Sequence, residues 1–235
     1  MANPKLFRLA DKAVLEYSMI ETNDKILLAA SGGKDSTALA EYLAFRKKRT
    51  TFSVEALHIS TELENADLTI LKKLYEKFCI KLEIKEIKIL ERLKTGKKMN
   101  CWWCSSQRRA ELLKYALEGG FNKIAFGHHI DDILETALMN IFTKARLFSM
   151  PPVLKLDKFP ITIIRPLALA DIPTIQNHVT QQGYISSTCT CNYQSNSHRK
   201  IARKQLAKLT DNKYALKLKL FTALKKENVI LEYLH

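Results

Sequence analysis

The sequence has no apolar run of membrane-spanning length, and no N-terminal stretch in which basic residues precede a long apolar segment. A membrane helix needs about 20 consecutive apolar residues, and a secretory signal needs a basic segment followed by an apolar one. We therefore expect a protein without a membrane segment or a signal peptide, located in the cytoplasm. Internal repeats and low-complexity linkers are also absent, which predicts one main domain with a C-terminal extension.

Cysteine is scarce, with five residues in 235. An odd and small number in a cytosolic chain predicts thiols or ligands rather than a disulfide framework. Cys79 follows an amphipathic helical pattern and is expected to be a small core residue. The other four form two close pairs, Cys101 with Cys104 and Cys189 with Cys191.

Acidic residues are the minority, with 24 against 38 lysines and arginines and a net charge of +14. Such a balance favours binding to a polyanion, although it also serves solubility alone. Basic residues cluster around the motifs discussed below; these are Lys94, Lys97, Lys98, Lys144, Arg146, Arg199, Lys200, Arg203 and Lys204. Their positions favour a nucleic acid as partner and predict salt-dependent binding.

The first 146 residues alternate between strand and helix patterns. Strands are expected at about 26–30, 52–59, 80–90 and 123–126, and helices at about 5–20, 37–45, 65–78, 105–118 and 131–146. This order predicts an α/β fold with a parallel sheet and helices on both faces. A hairpin over 153–165, a helix capped by Asp171, and basic helices at 198–209 and 214–226 follow. We predict a main domain over residues 1–185 and a cysteine-bearing basic helical extension over 186–235.

One stretch between the first predicted strand and its helix has unusual chemistry. It reads Ser31-Gly32-Gly33-Lys34-Asp35-Ser36, with two glycines, a lysine and two hydroxyls at a helix start. Glycines let backbone N–H groups approach a phosphate, and the helix dipole favours its charge. The spacing fits neither a Walker loop nor a dinucleotide fingerprint. The stretch therefore predicts a different kind of phosphate-binding loop; the alternative is a tight turn without a ligand.

The pair Cys101-Trp102-Trp103-Cys104 is expected just before the helix at 105–118. Two thiols three residues apart at a helix N-terminus are suited to one metal ion or cluster. The motif alone also fits half of a zinc site, a thiol–disulfide pair or chance. Cys189 and Cys191 make a third and a fourth thiol available.

Several strings together resemble one enzyme family. Ser31 to Ser36 resembles the signature of the N-type ATP pyrophosphatases, or PP-loop family. Combined with the C-x-x-C pair, Gly127-His128-His129-Ile130-Asp131-Asp132, Met150-Pro151-Pro152 and Ile164-Arg165-Pro166-Leu167, it resembles the tRNA 2-thiocytidine synthetases. The resemblance extends from about residue 9 to 205.

The resemblance implies a fold, a reaction and its cofactors. The fold would be the PP-loop, or adenine nucleotide alpha hydrolase-like, domain. The enzyme would use ATP and magnesium to adenylate the C2 oxygen of cytidine 32 in tRNA, and then replace that oxygen with sulfur at a [4Fe–4S] cluster. Sulfide or a cysteine desulfurase system would supply the sulfur, and relatives imply a homodimer.

The resemblance also implies roles for individual residues. Cys101 and Cys104 would hold the cluster, with Cys191 as third ligand because the family has Cys-Asn there, although Cys189 remains an alternative. A further family cysteine shortly after this position is absent here. The implied ATP-binding residues are Ala30, Ser31, Gly32, Gly33, Lys34, Asp35, Ser36, His58 and Gly127.

Three residues are predicted to act in catalysis: Lys34, Arg108 and Asp131. Asp131 is expected to face the site as a base or magnesium ligand, and Asp132 to be structural. Helix capping is the alternative role for both aspartates. Arg108, one turn after Cys104, is expected to face the cluster or to bind a tRNA phosphate. Trp102 and Trp103 are expected to shield the cluster or to stack on a base.

Three other functions stay open from the sequence. The 2-thiouridine branch of the family carries extra terminal zinc-binding cysteines, and this chain has none. A thiouracil desulfidase needs no ATP, which the intact loop argues against. A non-catalytic tRNA-binding module stabilised by zinc on four thiolates is the third alternative.

Overall fold

The computed structural model describes residues 3–63, 67–93, 99–184 and 198–230. The strands are β1 (Lys25–Ala29), β2 (Ser53–Thr61), β3 (Lys81–Ile87), β4 (Lys123–Ala125), β5 (Val153–Lys155) and β6 (Thr162–Ile164). The helices are α1 (Lys5–Glu16), α2 (Lys34–Lys47), α3 (Thr69–Lys77), α4 (Cys101–Glu118), α5 (Ile130–Lys144), α6 (Ile172–Gln181), α7 (His198–Thr210) and α8 (Tyr214–Lys226). A short 3₁₀ turn spans Leu90–Arg92.

The strands form one six-stranded sheet in the order β3-β2-β1-β4-β6-β5. All neighbouring pairs are parallel except β5 with β6, which form the predicted antiparallel hairpin at one edge. The predicted α/β class is therefore confirmed. From β1 the chain moves outward through β2 to β3, and then returns to β4 on the other side of β1. The loops that follow β1 and β4 consequently diverge, and a crevice opens between them.

Two hydrophobic cores lie on opposite faces of the sheet. Successive side chains of a strand point to opposite faces, so Ile26 and Leu28 join the larger core while Leu27 joins the smaller one. The larger core contains the buried sides of α1, α2, α3, α5 and α6. In the smaller core, Leu112 and Ala116 of α4 pack against strands β1, β2 and β4. Helix α4 therefore approaches the sheet from the face opposite α2 and α5.

Two helices begin earlier than the sequence predicts. Helix α2 begins at Lys34, after Gly33 as N-cap, rather than at Thr37. Helix α4 begins at Cys101 rather than at 105, because the side chain of Asn100 accepts a hydrogen bond from the Trp103 amide at 2.9 Å. Lys34 to Ser36 therefore form the first turn of α2, and both cysteines of the C-x-x-C pair lie in the first turn of α4.

The prediction that Cys79 is a core residue was wrong. It lies between α3 and β3 with φ of 52°, and its side chain is exposed. The left-handed conformation ends α3 and turns the chain into the strand, which rotates the side chain away from the buried helix face.

The two C-terminal helices pack against the main body of the protein. Both α7 and α8 contact α5, and Lys217 of α8 is buried against Asp131 with 2.7 Å between Nζ and Oδ1. The division at residue 185 stays a prediction. Among the described helices, none has the length and apolar character needed to cross a bilayer.

Candidate functional site

The loop after β1 is held open by its own hydrogen bonds. Gly32 has φ of 79°, a conformation that glycine adopts without steric cost. The Ser31 hydroxyl donates to Ser36 Oγ at 3.0 Å, and the Ser36 hydroxyl donates to the Gly33 carbonyl at 2.9 Å. The Thr37 amide donates to the Gly33 carbonyl at 3.1 Å, and the helix amides that precede it belong to the N-terminal donors that an anion site uses.

The loop borders a cavity of about 380 Å³ at the carboxyl ends of the strands. Its lining residues are Ala29, Ala30, Ser31, Asp35, Ser36, Leu57, Ile59, Ser105, Arg108, Arg109, Leu112, Phe126, Gly127, His128 and Asp132. Apolar side chains from β2 and α4 form one wall, and polar groups from the loop and α5 form the other. A flat ring with charged substituents suits such a cavity.

Most of the predicted ATP-binding residues meet at this cavity. Ala30, Ser31, Asp35, Ser36 and Gly127 line it. Gly32, Gly33 and Lys34 belong to the same loop and helix turn without lining the cavity. The ammonium of Lys34 instead pairs with Asp35, with 2.6 Å between Nζ and Oδ1, and both side chains are partly exposed.

His58 is not among the residues that line the cavity, and its predicted role in ATP binding stays a prediction. The His58 side chain is buried beneath the loop, and Nδ1 lies 2.7 Å from the Ala30 carbonyl oxygen. Since a carbonyl oxygen only accepts, Nδ1 is the protonated nitrogen of this contact. His58 therefore supports the strand end from below, while its neighbour Leu57 lines the cavity.

Gly127 is required for a reason that the sequence did not reveal. A Cβ at this position would lie 2.9 Å from the carbonyl carbon of Asp35 and 3.0 Å from the amide nitrogen of Ser36. The close approach is thus between two pieces of backbone, the end of β4 and the start of α2. Gly127 sets the distance between the phosphate loop and the Gly127-to-Asp132 motif.

The structure places the two aspartates opposite to the prediction. Asp131 points away from the cavity and binds α6 and α8, accepting from the Ile172 amide at 2.9 Å and pairing with Lys217. Asp132 lines the cavity. Adjacent helical residues point about 100° apart. The contacts of Asp131 hold its side chain toward α6 and α8, and Asp132 is the one of the two that lines the cavity.

Asp132 also caps its helix. Its carboxylate accepts from the His129 amide at 3.1 Å, while His129 Nδ1 accepts from the Asp132 amide at 3.4 Å. Burial raises the pKa of Asp132, but electrostatic interactions with His129, His128 and Arg199 and the hydrogen bond from the His129 amide outweigh it, and the pKa is lowered. The cavity therefore contains an ionised carboxylate at neutral pH.

His128 is held by an arginine from the neighbouring strand. Arg165, which follows β6 and is 7% exposed, places Nε 3.4 Å from His128 Nδ1. The ring of His128 stacks on Phe126, with centroids 5.5 Å apart and an interplanar angle of 27°. Burial and the charge of Arg165 lower the pKa of His128 to about 3.

Helix α4 brings its arginines to the opposite wall. Arg108 and Arg109 both line the cavity, and Arg108 Nη2 lies 3.4 Å from Thr61 Oγ1 at the end of β2. Cys101 is exposed and Cys104 is half-buried, about two turns and one turn earlier on the helix. Arg108 and the phosphate loop therefore share one cavity, and the catalytic role of Arg108 stays a prediction.

Residues on α7 complete the charge pattern. Arg203 donates to both carboxylate oxygens of Glu135, which is 1% exposed, at 2.6 and 3.2 Å. Arg199 lies at 3.8 Å from Asp132 and 3.7 Å from Glu135. Helix α7 is thus fastened to α5 by Arg203, and Arg199 is held beside the cavity.

The predicted metal ligands lie partly outside the described residues. Cys101 and Cys104 share the first turn of α4, whereas Cys189 and Cys191 lie outside the described residues. Within the parts of the chain that the structure describes, no group of three or more His, Cys, Asp or Glu side chains is arranged to hold a metal ion.

Some residues of the cavity were missed by sequence reasoning. Arg109 and Asp132 each follow a residue that was chosen, and nothing in the sequence signals whether one or both of two helical neighbours line the cavity. Arg165 lies within a string shared with the family, but nothing in the sequence pairs it with His128. The sequence pattern assigns Leu57 and Ile59 only to a strand.

Known proteins match this fold and this arrangement. The model of the PP-loop domain family matches residues 5–210. The tRNA-cytidine(32) 2-sulfurtransferase of Polynucleobacter necessarius is 34% identical over 208 residues, covering 86% of this chain and 69% of the relative. The enzyme of the same name from Dichelobacter nodosus is 35% identical over 209 residues, covering 86% and 78%.

Solved structures agree on the fold. The U34-tRNA thiolase NcsA of Methanococcus maripaludis, solved with its [4Fe–4S] cluster, superposes with a TM-score of 0.80 at 22% identity, covering 97% of this chain and 79% of that one. The NH₃-dependent NAD synthetase of Campylobacter jejuni superposes with a TM-score of 0.56 at 15% identity, covering 98% of both chains. The chain therefore belongs to the PP-loop family and, within it, to the tRNA-cytidine(32) 2-sulfurtransferases, which are enzymes of tRNA thiolation.

Proposed function

We propose that the chain uses ATP to adenylate the C2 oxygen of cytidine 32 in tRNA and replaces that oxygen with sulfur. The observation that carries the proposal is the cavity itself. It collects a phosphate-binding loop, an ionised carboxylate and two arginines that follow the C-x-x-C turn on the same helix. Activation and substitution can therefore take place on one bound base.

Activation requires the C2 oxygen to become a leaving group. The oxygen attacks the α-phosphate of ATP, a new P–O bond forms, and pyrophosphate departs with the electrons of the broken bond. The loop hydroxyls, the first-turn N–H groups of α2 and the ammonium of Lys34 bind the phosphates as their charge develops. Asp35 offers the carboxylate oxygen that magnesium prefers.

Substitution follows at the activated carbon. Sulfur at the oxidation level of hydrosulfide adds to C2, and AMP leaves with the former C2 oxygen. The proton on the sulfur must then be removed, and Asp132 is the ionised carboxylate that lines the cavity and accepts it. Asp132 thus takes the role predicted for Asp131. Arg108 stabilises the departing AMP phosphate from the opposite wall.

The thiols of Cys101 and Cys104 fit an iron–sulfur cluster, because soft sulfur ligands at a helix N-terminus suit iron and the side chains are accessible. Cys191, or Cys189 in its place, would be the third ligand. When bound, a [4Fe–4S] cluster with one open iron supplies a site for exogenous sulfur. Sulfide or a cysteine desulfurase as donor, and assembly as a homodimer, remain predictions.

The test begins with anaerobic purification and metal analysis, followed by a tRNA assay with ATP and sulfide. We expect iron and labile sulfide, 2-thiocytidine at position 32, and AMP with pyrophosphate in equal amounts. The Cys101→Ser/Cys104→Ser variant should lose iron and thiolation while it retains ATP binding. Cys79→Ser, an exposed cysteine outside the site, is the matched control and should behave as wild type.

Two results would overturn the proposal. One is stoichiometric zinc without iron in protein that fails to consume ATP with tRNA, which would indicate the zinc-stabilised binding module. The other is unchanged 2-thiocytidine in tRNA from a strain that lacks this chain.

A further inference from the structure

The hydrogen bond between Arg165 and His128 determines where the imidazole carries its proton. A guanidinium has only donors, and although burial lowers the pKa of Arg165 to about 10, the group stays charged at neutral pH. The Arg165 Nε–H group at 3.4 Å therefore requires His128 Nδ1 to accept. A neutral ring that accepts at Nδ1 carries its hydrogen on Nε2. Arg165 is itself held, because its Nη1 donates to the Pro151 carbonyl.

The charged groups around His128 keep the ring neutral. Arg165 approaches from the end of β6, Arg199 from α7, and Asp132 and His129 from the start of α5. A proton on Nδ1 would place two N–H groups against each other and add a cation beside two arginines. Only Asp132 favours the charged ring, and burial together with Arg165 outweighs it, so the pKa is lowered to about 3.

The side chain of His128 borders the cavity. Phe126 covers one face of the imidazole, and His128 lines the cavity together with Gly127 and Asp132. Within the described residues, Arg165 makes the ring's only hydrogen bond. The Nε2–H group is therefore available to whatever occupies the cavity.

We propose that His128 is a specificity-determining residue, which presents a fixed and neutral Nε2–H donor to the acceptor edge of the target cytosine. The proposal rests on the proposed function. A phosphate would be bound better by a charged imidazolium, and the loop already supplies phosphate ligands. A neutral donor instead suits a ring nitrogen or carbonyl oxygen. Cytosine offers two adjacent acceptors, O2 and N3, whereas uracil carries a hydrogen on N3, which this donor would oppose.

The first test measures the wild-type chain and uses one variant only to assign the His128 signals. A ¹⁵N NMR titration of the full chain, with labelled histidine and a His128→Phe sample for assignment, reports the tautomer and the protonation of His128. We expect the Nε2–H tautomer and no titration between pH 5 and 8. A ring protonated on Nδ1, or one that titrates near 6.5, would overturn the proposal. This arm does not depend on thiolation activity, so its failure is separate from failure of the proposed function.

The second test measures recognition with anticodon stem-loops that carry C32 or U32, and with a non-hydrolysable ATP analogue. His128→Phe keeps the stacked ring and removes the donor. We expect kcat/KM for the C32 stem-loop to fall about tenfold, in line with one lost hydrogen bond, while the affinity for the ATP analogue is unchanged. His128→Gln, which can donate or accept, should narrow the preference for C32 over U32. A loss confined to the ATP analogue would assign the donor to adenine and overturn the proposal.

Arg165→Met tests whether the hydrogen bond from Arg165 fixes the tautomer of His128. Without the guanidinium, Nδ1 no longer has to accept, and one cause of the low pKa of His128 is removed while burial, the larger cause, remains. In the same ¹⁵N titration we expect a mixture of the two neutral tautomers and a pKa that is raised above that of wild type but stays below the ordinary value of about 6.5. Arg8→Met, an exposed arginine of α1, is the control and should keep the wild-type spectrum. An unchanged tautomer in Arg165→Met would contradict the role of Arg165, and the titration of the wild-type chain remains decisive if this variant fails to fold.

Discussion

At the scale of the residue, contacts outside the cavity decide which side chains face it. Asp131 is bound by the Ile172 amide and by Lys217, and of the two adjacent aspartates only Asp132 lines the cavity. The same holds for His58, whose bond to the Ala30 carbonyl removes it from the cavity. Which residues of a motif reach the cavity therefore depends on their contacts with the rest of the protein as well as on their own chemistry.

Gly127→Ala should damage the site through backbone contact alone. The new Cβ would meet backbone atoms of Asp35 and Ser36 at about 3 Å, and backbone cannot move aside as a flexible side chain can. We expect a loss of stability of about 1–3 kcal/mol, as for overpacking, and an ATP affinity at least tenfold weaker. Calorimetric titration with ATP and urea unfolding measure the two effects.

Gly120→Ala provides the comparison for this change. Gly120 has φ of +65°, and no other atom lies within 4 Å of the position that a Cβ would take there. The substitution therefore costs about 1–2 kcal/mol through backbone strain at the far end of α4. It should leave ATP affinity unchanged. Equal ATP affinities for the two variants would show that the contact between Gly127 and the loop is irrelevant to binding.

At the scale of the element, helix α4 depends on ion pairs with the strand beside it. Glu111, 8% exposed, receives Lys85 Nζ and Arg92 Nη1, each at 2.8 Å. The hydrogen bond from Lys85 is the main cause that lowers the pKa of Glu111 below its ordinary value of 4.5, with Arg92 adding to it against the effect of burial. These pairs fix the helix that carries the cysteines and Arg108.

Glu111→Gln should reduce stability in a pH-dependent way. Because the folded pKa lies below the unfolded value, the stabilisation is fully present above about pH 4.5 and is lost as the pH falls through the folded pKa. We expect a cost of about 1 kcal/mol at pH 7, since both basic partners are partly exposed, and a smaller difference below about pH 4. Urea unfolding at several pH values measures it.

Glu118→Gln is the matched control on the same helix. Glu118 is exposed and its nearest partner, Lys114, is 3.8 Å away, so the change should stay within about 0.5 kcal/mol at any pH. A pH-independent cost for Glu111→Gln would argue that the carboxylate acts through packing rather than charge.

The order and type of most elements follow from the sequence, because apolar periodicity is a local property that burial enforces. The predicted helix starts were less accurate. The start of α4 depends on the cap that the Asn100 side chain provides, and the first turn of α2 contains Lys34 to Ser36, which are half of the loop motif. Contacts between distant residues could not be predicted. The pairing of Arg165 with His128 joins positions 37 residues apart, and nothing in either local sequence specifies it.

At the scale of the whole molecule, part of the net charge of +14 comes from basic side chains that lie at the cavity. Arg108 and Arg109 line the cavity, whose occupant is proposed to be part of a polyanion, and Arg199 lies 3.8 Å from Asp132 of the same cavity. Partial burial and the charge of Arg199 lower the pKa of Arg109. Such a group of cations favours a phosphodiester next to the bound base.

Arg199→Gln should weaken RNA binding and reduce its salt dependence. Each phosphate contact contributes to the slope of log K against log salt, and we expect the slope to fall by about one. Lys48→Gln removes an equal charge at the opposite end of α2 and should leave the slope unchanged. Titrations of a fluorescent stem-loop between about 50 and 200 mM salt, the range in which such contacts matter, distinguish the two. Identical slopes for both variants would show that only total charge matters.

The return of the chain from β3 to β4, on the other side of β1, has an evolutionary consequence. The crevice exists because of strand order, and no side chain is needed to create it. The side chains around the crevice, such as those of His128, the first turn of α4 and the start of α7, are therefore not needed to create it. A scaffold of this kind can change those side chains while the strand order that opens the crevice is kept.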